Sequence, residues 1–469
     1  MDAKDPSVET PACPGCAERD RRIAELEARI AEFQARVEKL ERIIDELHRG
    51  SKRQAAPFSR GAPKTNPKKP GRKKGDDYGT KACRAVPETV DEIHDAPLPD
   101  QCPNCGSRHV EHHRIEHQYQ TEIPTRAIHR RFDIAVGRCA GCGTRVQGRH
   151  PLQTSGALGC CASQLGADAQ ALIVHLNKEA GLSYGKIGRL FKTCFGITLS
   201  RGGACQAMLR AAQRCEGTHD AIVARVRKSG WAVLDETGWR IGGASAWLHA
   251  AVTDGAVAYL IHRRRGFEAA RELMGEEYAG VLIHDGWRPY ERFWRAAHQT
   301  CLAHLLRRCC ELLETATRGA VRFPRAVKVI LREALEVRDR RDAGLITASA
   351  AAGKARELQR RIVTLTGPIK TNAANERFAA HLFGQQHHLF TFLRREAIDA
   401  TNWRAEQALR PAVVNRKVWG GNRTERGAEA QRILMTICQT ARTRGIEPMH
   451  WISRALLASE TTPPLLPAR

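Results

Sequence analysis

The chain has 469 residues, of which 42% are hydrophobic, and a formal net charge of +24. This length suggests about three domains of roughly 150 residues each, and the charge favours a nucleic-acid partner over a merely solubilising surface. No apolar run reaches the roughly 18 residues of a membrane helix, and the N-terminus lacks the features of a signal peptide. We therefore expect a cytoplasmic protein without a membrane partner. In that compartment the 16 cysteines should be free thiols or metal ligands.

Residues 1–50 contain a heptad seam. Its apolar residues alternate in spacing between three and four, with Ile or Val at position a and mostly Leu at position d. This pattern favours a parallel coiled-coil homodimer, the alternative being an amphipathic helix packed on its own chain. The seam residues are Ile23, Leu26, Ile30, Phe33, Val37, Leu40, Ile44 and Leu47.

A CxxC pair, Cys13 and Cys16, precedes the seam. It is interpreted as an N-terminal turn, with a zinc site shared between two protomers as the alternative.

Residues 51–95 form a basic linker that is rich in Pro and Gly and too poor in apolar residues to fold alone. It could act as a solvated tether, or lie along DNA phosphates and add affinity that does not depend on sequence. The cations expected to contact DNA are Lys68, Lys69, Arg72, Lys73 and Lys74.

Residues 96–150 carry two further CxxC pairs, Cys102 with Cys105 and Cys139 with Cys142. Four thiolates make a closed tetrahedral shell, which predicts one structural Zn²⁺. The residues between the pairs alternate in polarity, so we expect a zinc-ribbon module that binds DNA. Unrelated free cysteines are the alternative.

Residues 160–228 have a helical pattern. Leu182, Ile187, Leu190 and Phe191 share one face of a first helix, and Ser200 is a suitable N-cap for a second. The pattern predicts a helix-turn-helix-like region that binds DNA through its second helix. An ordinary helical core would show the same pattern.

From residue 229 the pattern changes to the period of two that is typical of strands. The segments WAVLDE, SAWLHAAVT and AVAYLIH read as three antiparallel strands, with Asp254-Gly255 as the turn between the second and third. A helix over Phe267–Met274 and a fourth strand, AGVLIHDG, follow. This order predicts a multidomain α/β protein with an RNase H-like core over 229–450, in which the first and fourth strands are neighbours.

Two carboxylates, Asp235 and Asp285, are then expected to converge at strand ends. Carboxylates that lie close together raise each other's pKa unless a divalent metal lies between them. Two Mg²⁺ ions (or Mn²⁺) about 4 Å apart are suited to phosphoryl transfer. Alternation places Glu236 on the opposite face of the strand, so Glu236→Gln should do far less damage than Asp235→Asn.

A third carboxylate is expected further along the chain. Glu406 is the best candidate, in a short helix predicted over 401–410 and closed by Pro411. Its alternative role is a surface salt bridge, and three other acids compete with it: Asp399, Glu425 and Glu429. The nearby cations Arg404, Lys417 and Arg423 are candidate DNA contacts.

The order of these parts resembles the transposases of the insertion sequence 66 family of bacterial mobile elements. The matching motifs are PGRKKG in the linker, LDETG at Asp235, HDGWRPY at Asp285, CLAHLLRR at Cys301 and AEQALRP at Glu406. The resemblance implies a DDE triad of Asp235, Asp285 and Glu406, with a helical insertion over about 308–395 and a tail over 451–469. It also suggests Cys301, His304 and Arg410 as accessory residues.

The resemblance implies a DNA transposase that binds terminal inverted repeats and catalyses metal-dependent strand cleavage and strand transfer. Its partners would be double-stranded DNA, a second copy of the chain and accessory proteins of the element, at the bacterial nucleoid. Two alternatives remain: a catalytically weakened DNA-binding protein, and an RNase H-like nuclease without strand transfer.

Overall fold

The computed structural model describes residues 18, 22–23, 25–30, 32–34, 37, 86–109, 111, 114–120, 127–159 and 164–458. The chain divides into two compact units, Met1–Thr121 and Glu122–Arg469. No helix in these described ranges is long and apolar enough to cross a membrane.

In the first unit, the described seam positions are helical. These residues are about half exposed. They are Ile23, Leu26, Ile30, Phe33 and Val37. Several predictions lie outside the described residues, namely those for Cys13, Cys16, Leu40, Ile44, Leu47 and the five basic residues of the linker.

The second unit begins with a hairpin of β1 (Val136–Arg138) and β2 (Arg145–Gln147), followed by three helices. These are α1 (Ala167–Lys178), α2 (Tyr184–Phe195) and α3 (Arg201–Arg227). The Ser200 hydroxyl accepts a hydrogen bond from the Gly203 backbone N–H, which confirms the predicted N-cap of α3. DNA reading by the α2–α3 pair stays a prediction.

A five-stranded sheet forms the centre of this unit. Its strands are β3 (Trp231–Ile241), β4 (Ala244–Thr253), β5 (Ala256–His262), β6 (Val281–His284) and β7 (Ala297–Thr300), in the spatial order β5-β4-β3-β6-β7. The first three are antiparallel, whereas β6 runs parallel to β3 and β7 runs parallel to β6. The predicted pairing of first and fourth strands is confirmed; β7 was not predicted.

Helices make up most of the remaining chain, with α4 (Phe267–Met274) between β5 and β6 as predicted. The helices after the sheet are α5 (Leu302–Thr315), α6 (Arg322–Asp342), α7 (Ala348–Thr366), α8 (Ala373–Gly384), α9 (Thr391–Arg394), α10 (Trp403–Trp419), α11 (Glu425–Thr443) and α12 (Pro448–Leu457). The region expected to be a helical insertion is helical, although its first helix already begins at Leu302.

The two faces of the sheet are covered by separate hydrophobic layers because successive strand residues point to opposite sides. Ala232 and Leu234 pack into a layer built from α1–α4, α11 and α12. Val233 and Ile283 pack into the other layer, formed chiefly by α5–α10.

Two sequence predictions about element ends are wrong. Helix α10 is not closed by Pro411 but continues through it to Trp419. Its buried face, which includes Leu409 and Ala412, outweighs the hydrogen bond that proline removes. The predicted tail starts within α12, which extends to Leu457 because Trp451 and Ile452 are buried in the first hydrophobic layer.

Candidate active site

Asp235 lies on β3, and Asp285 directly follows the neighbouring strand β6, at the point where the two strands separate. The last parallel pair between β3 and β6 is Val233 with Ile283, and β6 ends one residue before Asp285. The prediction that Asp235 lies at the end of its strand is wrong. β3 continues beside β4, and Asp235 pairs there with Ala250. Both acids stand two residues beyond Val233 and Ile283, so alternation directs them to the same face of the sheet.

The Asp235 carboxylate has a strongly perturbed environment. Burial raises its pKa to about 8, and the charges of Glu236, Asp285 and Glu406 act in the same direction. The backbone N–H of Glu236 donates a hydrogen bond of 2.9 Å to Asp235 Oδ1 and opposes the shift. Carboxylates from three separate elements therefore act on Asp235.

The Asp285 pKa is also raised, first by burial and then by Glu236. The Trp287 N–H donates to Asp285 Oδ1 at 2.9 Å, and the His304 and Arg265 side chains also favour the charged form. Asp285 therefore lies between acidic and basic neighbours.

Glu406 lies in the first turn of α10. Its Oε1 is 3.7 Å from Nε2 of His304, which is on α5. The buried Nδ1 of His304 has no hydrogen-bond partner among the described residues. The sequence prediction thus placed Glu406 and His304 in one neighbourhood, and the structure shows a contact between them.

Cys301 connects the parts that carry the acids. Its N–H donates to the His284 carbonyl at the end of β6 (2.7 Å), and its Sγ accepts from the Asn402 N–H before α10 (3.3 Å). Cys301 is fully buried, which gives it a structural contact at this site.

The competing acids are held in other ion pairs. Asp399 accepts from Arg404 at 2.6 Å, Glu425 from Arg263 at 2.8 Å, and Glu429 from Arg432 at 2.6 Å. Glu406 is the acid of this group that adds to the electrostatic perturbation of Asp235.

The cations predicted around Glu406 differ in their surroundings. Arg404 pairs with Asp399 and lies over the rings of Trp231 and Trp403. The other cations of α10 and the following loop that were singled out, Arg410, Lys417 and Arg423, are exposed.

Three residues that sequence reasoning left unassigned also lie near the acids. Tyr290 donates its hydroxyl to Glu236 Oε2 at 2.6 Å, and Arg265 donates to Glu236 Oε1 at 2.8 Å. Burial lowers the pKa of His381 on α8, and the charge of nearby Asp285 opposes this shift. Tyr290 belongs to the HDGWRPY motif, so the sequence could have identified it as a site residue. No motif marks Arg265 or His381.

The acids suit a divalent cation chemically, but they do not form a closed shell. In the described parts of the chain, no group of three or more His, Cys, Asp or Glu side chains has the spacing of a metal site. Mutually repelling carboxylates in a partly buried site are nevertheless the donor set that Mg²⁺ prefers. Asp235, Asp285 and Glu406 are therefore the residues that could hold a metal.

The two predicted zinc-binding pairs have matching local geometry. Cys102 N–H donates to Ser107 and its carbonyl accepts from Gly106, while Cys139 N–H donates to Thr144 and its carbonyl accepts from Gly143. Hydrogen bonds from nearby residues lower the thiol pKa of Cys102 and of Cys142. The pairs fall in different compact units of the chain.

The site thus combines a basic chain, a mixed α/β domain and acids that come from three separate elements. Residues 162–430 match the family described as "Transposase IS66 family". This match covers more than half of the chain, and the chain therefore belongs to the IS66 transposase family.

Three relatives come from Sinorhizobium fredii (strain NBRC 101917 / NGR234). "Uncharacterized protein y4qI" is 25% identical over 56% of this chain and 53% of its own length, and "Uncharacterized protein y4jD" is 24% identical over 56% of each chain. "Uncharacterized protein y4hP" is 25% identical over 43% of this chain and 40% of its own. The chain thus spans about half the length of the first two relatives and less of the third.

Proposed function

We propose that this chain is a DNA transposase that cleaves and joins DNA strands with a triad of Asp235, Asp285 and Glu406. The observation that carries the proposal is the electrostatic convergence of three acids from β3, the end of β6 and α10 on one sheet face. The strand order β5-β4-β3-β6-β7, with the first three antiparallel, supports an RNase H-like core.

The triad would hold two Mg²⁺ (or Mn²⁺) ions. Such ions, when bound, activate an attacking oxygen and stabilise a leaving oxygen at phosphorus. The protein's own contribution is to position the acids. Cys301 ties β6 to the start of α10, and His304 pairs with Glu406, so α10 presents its carboxylate toward the two strand acids.

DNA binding is proposed for three other parts of the chain. Each CxxC turn, at Cys102–Cys105 and at Cys139–Cys142, would offer two thiolates to a structural Zn²⁺. The basic linker over 51–95 and the α2–α3 pair would add phosphate and groove contacts. Terminal inverted repeats and target DNA are the expected substrates, in the bacterial cytoplasm, with or without accessory proteins of the element.

The open spacing of the acids is also compatible with two other functions. A DNA-binding protein with weakened catalysis, or a nuclease without strand transfer, would have the same fold and charge. A transposase differs from the weakened DNA-binding protein in metal-dependent cleavage. It differs from the nuclease in joining 3′-hydroxyl ends to DNA.

Asp235→Asn tests the proposal directly. A plasmid carrying the gene with its native flanking DNA is incubated with the purified chain and Mg²⁺, and nicked and joined strands are quantified. We expect at least about a 100-fold loss of both products, as removal of a transition-state interaction commonly gives, with unchanged DNA binding. Glu268→Gln, an exposed acid on α4, is the control and should keep wild-type activity. Cleavage retained by Asp235→Asn would refute the triad.

A further inference from the structure

Arg265 is held rigidly beside the acids. It follows β5, and its guanidinium carbon lies 4.9 Å from the ring centroid of Trp247 and 4.6 Å from that of Trp287. A guanidinium between two aromatic rings is oriented by both, because planar cations stack on the π faces. The position of its guanidinium is thereby constrained by Trp247 of β4 and by Trp287 of the loop after β6.

Glu236 completes this arrangement. Its side chain is only 2% exposed, and its Oε1 accepts a hydrogen bond from Nε of Arg265 at 2.8 Å. Nη2 of Arg265 lies 2.7 Å from the same oxygen in an ion pair. Its Oε2 accepts from the Tyr290 hydroxyl at 2.6 Å. With both oxygens engaged, the carboxylate is fixed in position and in turn fixes Arg265.

Arg265 is nevertheless open to a ligand. Its side chain is 38% exposed, and within the described residues Glu236 is the acceptor of its side-chain hydrogen bonds. The remaining N–H groups of the guanidinium can therefore reach an anion. Trp287, which stacks on Arg265, also donates its backbone N–H to Asp285 at 2.9 Å, so the cation stands next to a proposed catalytic acid.

We propose that Arg265 binds a DNA phosphate beside Asp285, and that Glu236, Trp247 and Trp287 are positioning residues for its guanidinium. The inference rests on the proposed function only in taking DNA as the substrate. A guanidinium fork can engage two phosphate oxygens at once, which a lysine cannot do. A charge that merely neutralised buried Glu236 would not need two stacking rings or an exposed outer edge.

The first experiment measures binding without catalysis. Fluorescence anisotropy of a labelled DNA duplex of arbitrary sequence, with 3′-hydroxyl ends, is followed in EDTA over a series of KCl concentrations with the full chain. Arg265→Ala should weaken binding about tenfold and reduce the slope of log affinity against log salt by about one. Arg265→Lys keeps the charge but loses the forked guanidinium. Its affinity should lie between those of the wild type and Arg265→Ala.

The matched control is Arg271→Ala. Arg271 is an exposed arginine on α4 whose partner is Glu276 at 3.7 Å, and its loss should change affinity less than about twofold. Unchanged affinity and slope in Arg265→Ala would overturn the proposal.

Glu236→Gln provides a test of sign. If Glu236 acts only through its charge, removing a negative charge near DNA strengthens binding. If it positions Arg265, affinity falls about threefold to tenfold, and the loss disappears in the Arg265→Ala background. Tighter binding by Glu236→Gln would refute the positioning role. Melting temperatures check folding; should Glu236→Gln unfold, the Arg265→Ala and Arg265→Lys salt series decide alone. Because no step requires cleavage, failure of the triad would leave this result standing.

Discussion

At the residue scale, the protonation of Asp235 is strongly altered at the candidate site. An unfolded aspartate titrates near 3.8, whereas burial and neighbouring acids raise the Asp235 pKa to about 8. Between these values the folded chain binds a proton that the unfolded chain has released. The free energy of unfolding therefore falls as pH rises through this window. A site built to gather carboxylates thus costs stability when no cation is bound.

Asp235→Asn should consequently stabilise the metal-free protein at alkaline pH. In EDTA at pH 8.5 we expect the melting temperature to exceed that of the wild type by about 2–6 °C, with the difference shrinking to zero near pH 4. Thermal unfolding followed by circular dichroism across this range is the measurement. Asp339→Asn, which changes an exposed acid of α6, should show no such trend; equal melting temperatures at all pH values would contradict the argument.

At the element scale, helix α10 is anchored at both ends, and this sets the position of Glu406. Its start is tied to Cys301 through the Asn402 N–H. Beyond its end, Asn422 exchanges backbone hydrogen bonds with β3, donating to Arg240 at 2.9 Å and accepting from Gly242 at 2.8 Å. These contacts explain why the helix keeps its place despite an internal proline.

The loop after α10 predicts a contrast between two adjacent glycines. Both have positive φ, but a Cβ on Gly421 would lie 2.4 Å from the Arg240 carbonyl oxygen, whereas one on Gly420 meets nothing within 4 Å. Gly421→Ala should destabilise the protein by about 2–4 kcal/mol, and Gly420→Ala by about 1 kcal/mol from backbone strain alone. Urea unfolding of both variants tests this; equal losses would show that the close approach to β3 does not matter.

At the scale of the whole molecule, the described part of the heptad seam in the first unit presents a row of exposed apolar side chains. The described seam side chains are 45–57% exposed, and a parallel pair of helices would bury them. A dimer also suits a transposase, because two element ends must be brought together.

Ile30→Asp should abolish self-association through this seam. Light scattering after size exclusion is expected to change from a dimer to a monomer, since a charge at a core position is desolvated on pairing. Ala28→Asp adds the same charge on the outer face of the same helix and should leave a dimer. A monomeric wild type, or a dimeric Ile30→Asp protein, would refute the coiled-coil prediction.

Local pattern anticipated much of the central sheet and the helices around it. Alternation and turn residues predicted β3–β5, and an apolar run predicted β6. The pairing of β3 with β6 followed from the expected RNase H-like order, and Ser200 was recognised as a helix cap. The ends of elements were less predictable. β3 runs past Asp235 because β4 pairs with it from Val233 to Ile241, which is a nonlocal property. The short strand β7 buries one histidine and one glutamine, His298 and Gln299. Its sequence therefore lacks the apolar pattern of a strand.

The sequence by itself determined which acids are available, which family motifs surround them and how charge is distributed along the chain, because these depend on residue identity and spacing. Only the tertiary structure decided what surrounds each acid. It placed Glu406 against His304, paired Glu425 with the distant Arg263, and joined Glu236 to Arg265 and Tyr290. Alternation correctly separated Glu236 from Asp235, but the cost of changing Glu236 depends on burial and on partners distant in the chain. Those partners are brought together by packing of the two layers on the sheet, which no local pattern encodes.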